Sequence, residues 1–565
     1  MAAKKAKSDQ ASPWLEGYPE SVDWDMEINP GSLVDLVDDA VAEFGDKDAM
    51  DFLGKTWSFN DLGEASNQVA KGLQAQGIGP NTRVGLLLPN CPYYPFLYFG
   101  ILKTGATVVN MNPLYADHEI KHLIEDAEVD IVATLDLKML FDKVYARLDD
   151  TQIKKVLVCP FKPALPALKA FLFGLVKGKE LAKVPVDDKI LRWDDLIAND
   201  GNYSRPEIDI NNQVAVLQYT GGTTGVPKGA SLSHANIYSN CIQVNAWFAD
   251  LERGQQSVVA VLPFFHVFAM TGCLNWSIMN GTKIFMLPRF ELKDCLKTIQ
   301  NSKATLFLGV PTIYNAINNS PLTEKYDLSH LKYCVSGGAA LPVEVKRKFE
   351  EIASCKLVEG YGLSETSPVA TVNPPFGKVK SGSIGQPLPG TRIDIVSIED
   401  GETFMPLGEK GEICISGPQV MQGYWNKPEA NAHDLRGGIF HTGDVGYMDE
   451  DGFTFIVDRL KEMIIAGGYK IYPRNVEEAI YLNDKILEAA VIGVPDEYRG
   501  QTVKACVVLK PGQKITLEEL NEGLTSHLSK IELPKQMQLY DELPKSPIGK
   551  ILKKELVAEH LAATK

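Results

Sequence analysis

Through its first two thirds the chain alternates short apolar, β-branched runs with stretches whose apolar positions recur at helical spacing. The runs "RVGLLLPN" (83–90), "TVVNMNP" (107–113), "DIVATLD" (130–136) and "KKVLVCP" (154–160) predict strands, while "YYPFLYFGILKTG" (93–105) and "ADHEIKHLIEDAEV" (116–129) predict helices between them. A second series of strands follows in "SVVAVLPFF" (257–265), "TKIFMLP" (282–288), "ATLFLGVP" (304–311), "LKYCVSGG" (331–338) and "KLVEGYG" (356–362). This order is that of parallel sheets covered by helices on both faces, where ligands bind outside the carboxyl ends of the strands.

From about 380 the strands shorten and turns multiply, as in "GSIGQPLPGTRIDIVSIEDGE" and "KGEICISGPQVMQGYW", which predicts a small antiparallel subdomain. Beyond a boundary near 458–461 the pattern reads helix, strand, turn, strand. A second amphipathic helix then opens at Thr516, with Glu519 completing a capping box. The expected fold is therefore α/β. It has a large N-terminal domain (1–458) of parallel βαβ-type sheets plus the antiparallel subdomain, and a small C-terminal α/β domain (459–565).

At 565 residues and 45% apolar content, at least two domains are expected. The net charge of −15 argues against nucleic-acid binding, which needs a basic face to release counterions. The nine cysteines lie far apart, with no C-x-x-C, and read as reduced and mostly buried thiols. The polar N-terminus lacks an apolar signal core, and no run reaches the roughly 18 apolar residues of a membrane span. A cytoplasmic protein is expected.

The stretch "YTGGTTGVPKGA" carries the first chemistry. Thr220, Gly221, Gly222, Thr223, Thr224, Gly225 and Lys228 follow directly on the apolar run "QVAVL", and a loop so poor in side-chain bulk offers its N–H groups and hydroxyls to a phosphate. It is not a P-loop: Pro227 stands where the second glycine belongs, and Gly229 stands where the magnesium-binding Ser or Thr belongs.

Seven further motifs follow: "PFFHVFA", "GVPTIYN", "SGGAAL", "EGYGLSETSPV", "HTGDVGYMDEDGF", "DRLKEMIIAGGYKIYP" and "PKSPIGKILKKEL". In this order they resemble the AMP-forming acyl- and aryl-CoA synthetases of the adenylate-forming superfamily, over nearly the whole chain. The resemblance implies that a carboxylate attacks the α-phosphate of ATP, that pyrophosphate leaves, and that a thiol then takes the acyl group from the adenylate. It assigns Thr220 to Lys228 to the β- and γ-phosphates, Glu365 with Thr223 to magnesium, and Thr366 to the α-phosphate. Gly337, Gly338, Glu359, Gly360 and Tyr361 match the segments around the adenine, and Asp444 with Arg459 matches the pair on the ribose. Lys550 resembles the mobile catalytic lysine, and Lys461 matches the hinge on which the small domain swings between an adenylating and a thioester-forming pose. Gly467, Gly468 and Lys470 would meet coenzyme A. Ile465 departs from aryl-CoA branches that carry a lysine there.

The segments around 262–276, 359–374 and 417–430 look most like those of bacterial long-chain fatty acid CoA ligases. That likeness places His266, Val267, Phe268, Met270 and Val310 along the acyl chain, His266 as a lining or gating residue. It needs no general base there, since a carboxylic acid is already ionised at neutral pH. A medium-chain or aryl acid, or transfer to a carrier protein, remains the competing reading. The implied partners are ATP with Mg2+, a fatty acid and CoA, and a homodimer is left open.

One segment is anomalous: "FKPALPALKAFLFGLVKGKELAKVP" (161–185) is basic in an acidic chain, with Leu165, Leu168, Leu172, Leu175 and Val176 at helical spacing. It fits either an anionic membrane surface, on the inner face of the membrane, or an ordinary core-facing helix.

Overall fold

The computed structural model describes residues 12–220, 227–546 and 549–563. Two large sheets carry the N-terminal part. One has eight strands, in the order 423–424, 228–233, 214–220, 107–110, 83–86, 131–135, 155–159, 190–192. From 214–220 onward its pairs are parallel, while Lys228–Ser233 adds antiparallel to Val214–Thr220 and Gly423–Tyr424 adds antiparallel to it at the edge. The other has nine strands, in the order 386–387, 369–372, 356–362, 333–336, 306–309, 257–260, 283–286, 48–52, 55–58, parallel through its centre and antiparallel at both edges.

The continuous apolar runs explain the parallel pairing. Ile131–Leu135 is buried at all five positions, as a strand covered on both faces must be. The helix Tyr93–Lys103 is apolar on every side and is buried along its whole length. It packs on Phe59–Ala75 so closely that a Cβ on Gly100 would lie 2.3 Å from Val69, and only glycine allows that approach.

The antiparallel subdomain is a four-stranded sheet, 392–396, 411–416, 440–448 and 454–459, whose Ile393, Ile413, Ile415 and Phe440 join the main apolar core. After Arg459 the chain enters a five-stranded sheet around Ile486–Asp496 and Gly500–Leu509, with an apolar core of its own that includes Ile464, Val476, Val491 and Leu520. The helix Leu517–Leu524 starts at Thr516, whose hydroxyl accepts from Glu519 N–H while the Glu519 carboxylate accepts from Thr516 N–H. All nine cysteines are free and only Cys355 is part-exposed; burial pushes the Cys91 thiol up to about 12.

The helix Ala167–Val176 fits neither alternative alone: Ala170 and Phe173 pack part-buried against the core, but the rest of its apolar positions face outward. No residue in it is buried, and Leu168, Phe171, Leu172, Leu175 and Val176 are exposed, while Leu165, just before it, tucks into the core. No helix among the described residues is long and apolar enough to cross a membrane.

Candidate active site

A cleft of about 1290 Å³ opens where the carboxyl ends of the two large sheets, the antiparallel subdomain and the C-terminal domain meet. Thr220 and Lys228 line it from paired strands on either side of the glycine-threonine loop. Gly221, Gly222, Thr223, Thr224 and Gly225 lie outside the described residues. Lys228 Nζ sits 3.0 Å from Asp434 Oδ2 and 3.9 Å above the Tyr424 ring.

Opposite them, Val335, Gly337, Gly338, Gly360 and Tyr361 come from the ends of two adjacent parallel strands. Gly338 has φ +78°, a conformation that favours glycine. Tyr361 donates to Asp444 Oδ2 at 2.7 Å, and Arg459 Nε meets Asp444 Oδ1 at 3.0 Å. Arg459 lines the cleft and Asp444 is buried just behind it, on the strand paired with Arg459. Glu412 accepts from Gly443 N–H at 2.9 Å and thereby fixes the turn before Asp444.

Lys550 also lines the cleft. The Arg459 charge, followed by burial, pulls its amine down to about 8. Its approach is fixed by Gly549, whose carbonyl accepts from Thr312 Oγ1 at 3.0 Å. Gly549 has φ +81°, and a Cβ there would lie 2.6 Å from that oxygen. Three residues along Thr312's helix, Pro311–Asn318, Asn315 Nδ2 donates to Leu487 O at 2.8 Å, a second tie to the C-terminal domain. Lys553 is held between Glu462 at 3.2 Å and Glu477 at 2.8 Å, which anchors the last helix behind Lys550.

Glu365 is buried in the wall, and burial raises its carboxyl above the usual range. Tyr424 donates to its Oε1 at 2.7 Å. A hard carboxylate in a cleft that also presents Lys228 would suit a magnesium ion brought in with phosphate oxygens and water. The residues present fit that group.

Four assignments are corrected. Thr366 does not face the cleft: its hydroxyl is spent on the backbone turn, against Leu363 and Pro368, and Ser364 presents the hydroxyl there instead. The Glu359 side chain does not line the cleft; it is buried and accepts from Leu341 N–H at 3.1 Å. Burial, opposed by Arg474, pushes that carboxyl up to about 7. Met270 is a core residue beside Asn110, and Val310 backs Gly338 and Gly549; neither lines the cleft.

His266, Val267 and Phe268 do line it, with Val244, Phe248, Gly272 and Leu308. His266 is kept neutral, its pKa held down to about 4 by burial and then by Lys550, and its Nδ1 accepts from Phe268 N–H at 3.3 Å. Lys461 borders the cleft, whereas Gly467, Gly468 and Lys470 form an exposed hairpin turn outside it.

Residues 37–425 match the model of the AMP-binding enzyme family, and residues 475–550 match the AMP-binding enzyme C-terminal domain. The chain belongs to the AMP-binding enzyme family. A long-chain-fatty-acid–CoA ligase of Bacillus subtilis is 45% identical over 97% of this chain and 98% of its own. Among solved structures, ATP-bound MatB from Rhodopseudomonas palustris superposes with a TM-score of 0.83, at 27% identity over 95% of this chain and 100% of that one. The apo form of the same protein gives 0.73. In this AMP-binding enzyme the charged groups of the cleft thus come from both family domains and the stretch between them, Lys228 and Glu365 from the first, Lys550 from the second and Arg459 from between.

Tyr424, Asp434, Glu412, Thr312 and Ser364 were not singled out from the sequence. Glu412 and Tyr424 stand inside "KGEICISGPQVMQGYW", Thr312 inside "GVPTIYN" and Ser364 inside "EGYGLSETSPV", so a signal existed for these four.

Proposed function

We propose that this protein activates a long-chain fatty acid with ATP, forming acyl-adenylate and pyrophosphate, and then passes the acyl group to the thiol of CoA with release of AMP. The observation that carries the reading is one cleft that joins Lys550, Arg459, Glu365 and Lys228 to an apolar wall of Val244, Phe248, Val267, Phe268 and Leu308. The Bacillus relative's near full-length identity supports the choice of acid.

In the first step the ionised carboxylate needs no base. Lys550 and Arg459 offset the charge gathering between carboxylate and α-phosphate, while Lys228 and the loop beside it hold the outgoing pyrophosphate. Glu365 would hold the magnesium of the MgATP complex, whose charge neutralises the phosphates when bound. Incubation with ATP, magnesium and a panel of acids, followed by pyrophosphate release and by a choice of CoA or carrier protein as acceptor, tests the reading. Pyrophosphate release with cinnamate-like or short acids alone overturns it.

The second step requires the exposed hairpin with Gly467, Gly468 and Lys470 to replace Lys550 at the cleft, with rotation at Lys461, between the last strand of one sheet and the first of the next. The better superposition on the ATP-bound than on the apo MatB structure supports an adenylating pose here. Proline fixes φ near −65° and obstructs rotation. Lys461→Pro is accordingly expected to spare adenylation and to slow CoA transfer by at least about tenfold. Equal damage to both half-reactions, measured separately, would put the hinge elsewhere.

The exposed face of Ala167–Val176 is read as a membrane contact on the cytoplasmic side. Leu168, Phe171, Leu172, Leu175 and Val176 supply the apolar face, and Lys162, Lys169, Lys177, Lys179 and Lys183 supply charges for anionic headgroups. Replacing Leu168, Leu172 and Leu175 by Asn should release the enzyme from anionic vesicles in a flotation assay while its melting transition stays cooperative. Loss of that transition would mean that the face is core.

A further inference from the structure

We propose that Tyr424 is a positioning residue that ties the phosphate-loop lysine to the metal-binding carboxylate, so that the two ends of the pyrophosphate site are set by one side chain. The proposal rests on the adenylating reading of Lys228 and Glu365 and goes beyond it. Tyr424 is buried, its hydroxyl donates to Glu365 Oε1 at 2.7 Å, and its ring lies 3.9 Å beneath Lys228 Nζ. Only an aromatic ring with a polar tip can do both at once.

The backbone makes this placement rigid. The strand Gly423–Tyr424 pairs with Lys228–Ser233, the strand that begins at the lysine itself. Two residues before that short strand, Met421 N–H donates to the Glu365 carbonyl at 2.7 Å, so one segment holds Glu365 by main chain and by side chain. Asn431 locks Tyr424 from the other side, accepting from its N–H at 2.6 Å and donating to its carbonyl at 3.0 Å. Asp434, one helical turn beyond Asn431, holds the Lys228 ammonium at 3.0 Å.

The two contacts separate chemically. Tyr424→Phe keeps the ring under Lys228 and removes the hydroxyl from Glu365; Tyr424→Leu removes both. Binding of ATP to the whole protein, measured by titration calorimetry with EDTA and again as the MnATP complex, gives the factor by which the metal strengthens binding. Tyr424→Phe should cut that factor by at least about tenfold, the scale of a hydrogen bond to a charged group, and leave metal-free ATP binding within about twofold. Tyr424→Leu should weaken metal-free ATP binding as well. If Tyr424→Phe weakens both forms of ATP alike, the residue is merely structural, and if it changes neither, Glu365 is oriented by something else; each result overturns the proposal. The Phe variant decides alone if the Leu variant does not fold. Failure of the wild-type protein to bind ATP in either form would instead overturn the adenylating reading.

Discussion

Lys550→Ala is expected to slow acyl-adenylate formation by about 10² to 10³-fold, the usual loss when one preorganised charge-stabilising group is removed from a transition state. Thioester formation from preformed acyl-adenylate should stay within about twofold of wild type, because in the proposed cycle the lysine serves only the first pose. Rapid-quench measurement of each half-reaction checks this, and equal losses would sink the two-pose assignment. The electrostatics add a second readout. Lys550 shares the cleft with Arg459, whose charge and the burial bring its amine to about 8, below the ordinary lysine value. Closing on Lys550 without a ligand is therefore easiest above that ordinary value and becomes harder as pH falls toward about 8, with no further change below. Bound polyphosphate reverses the shift. ATP binding near pH 8 should accordingly draw in about half a proton, seen as a buffer-dependent binding heat and absent in Lys550→Ala.

Catalytic efficiency is expected to rise about fourfold for each methylene added to the acid, since burying one contributes about 0.8 kcal/mol, until the apolar wall is filled. Over several carbons this compounds to a larger effect than most single substitutions. The rise should continue beyond about twelve carbons, where the family resemblance sets the end while the methylene increment gives only the slope. Steady-state rates for saturated acids from acetate to stearate, below their micelle concentrations, decide it. A maximum at six carbons or fewer would remove the long-chain assignment.

The central parallel strands of both large sheets were legible because continuous runs such as Ile131–Leu135 have few other ways to be buried, and the cap at Thr516 because side chain and spacing agree locally; the short strands toward the edges, such as Lys55–Ser58 and Gln386–Pro387, carry no such run. Side-chain direction was harder to read. Glu359 and Tyr361 stand two apart with a glycine between, in a strand whose pairing shifts register at Tyr361 and Gly362, so their faces do not follow from the quoted motif. The resemblance assigns Thr366 to the α-phosphate, but its hydroxyl closes its own turn and Ser364 lines the cleft instead, a competition between local and ligand hydrogen bonds that spacing cannot reveal. Tyr424, Asp434 and Thr312 act through partners up to 237 positions away, as Thr312 does on Gly549, and such pairs exist only once the chain has folded. The exposed face of Ala167–Val176 has the same apolar periodicity as a buried helix, and only its lysines hinted otherwise.

The burial of the cysteines has a bearing on chemoselectivity. An acyl-adenylate acylates any thiolate it meets, and a thioester formed on the protein would be about as stable as the one on CoA, a dead end as good as the product. None of the nine cysteines is among the residues that line the cleft, eight of the nine are buried, and burial keeps thiols such as Cys91 protonated, its pKa up to about 12. The thiolate that takes the activated acyl group is then one that arrives from outside, and adenylate formation assayed without CoA should be indifferent to mild alkylating reagents.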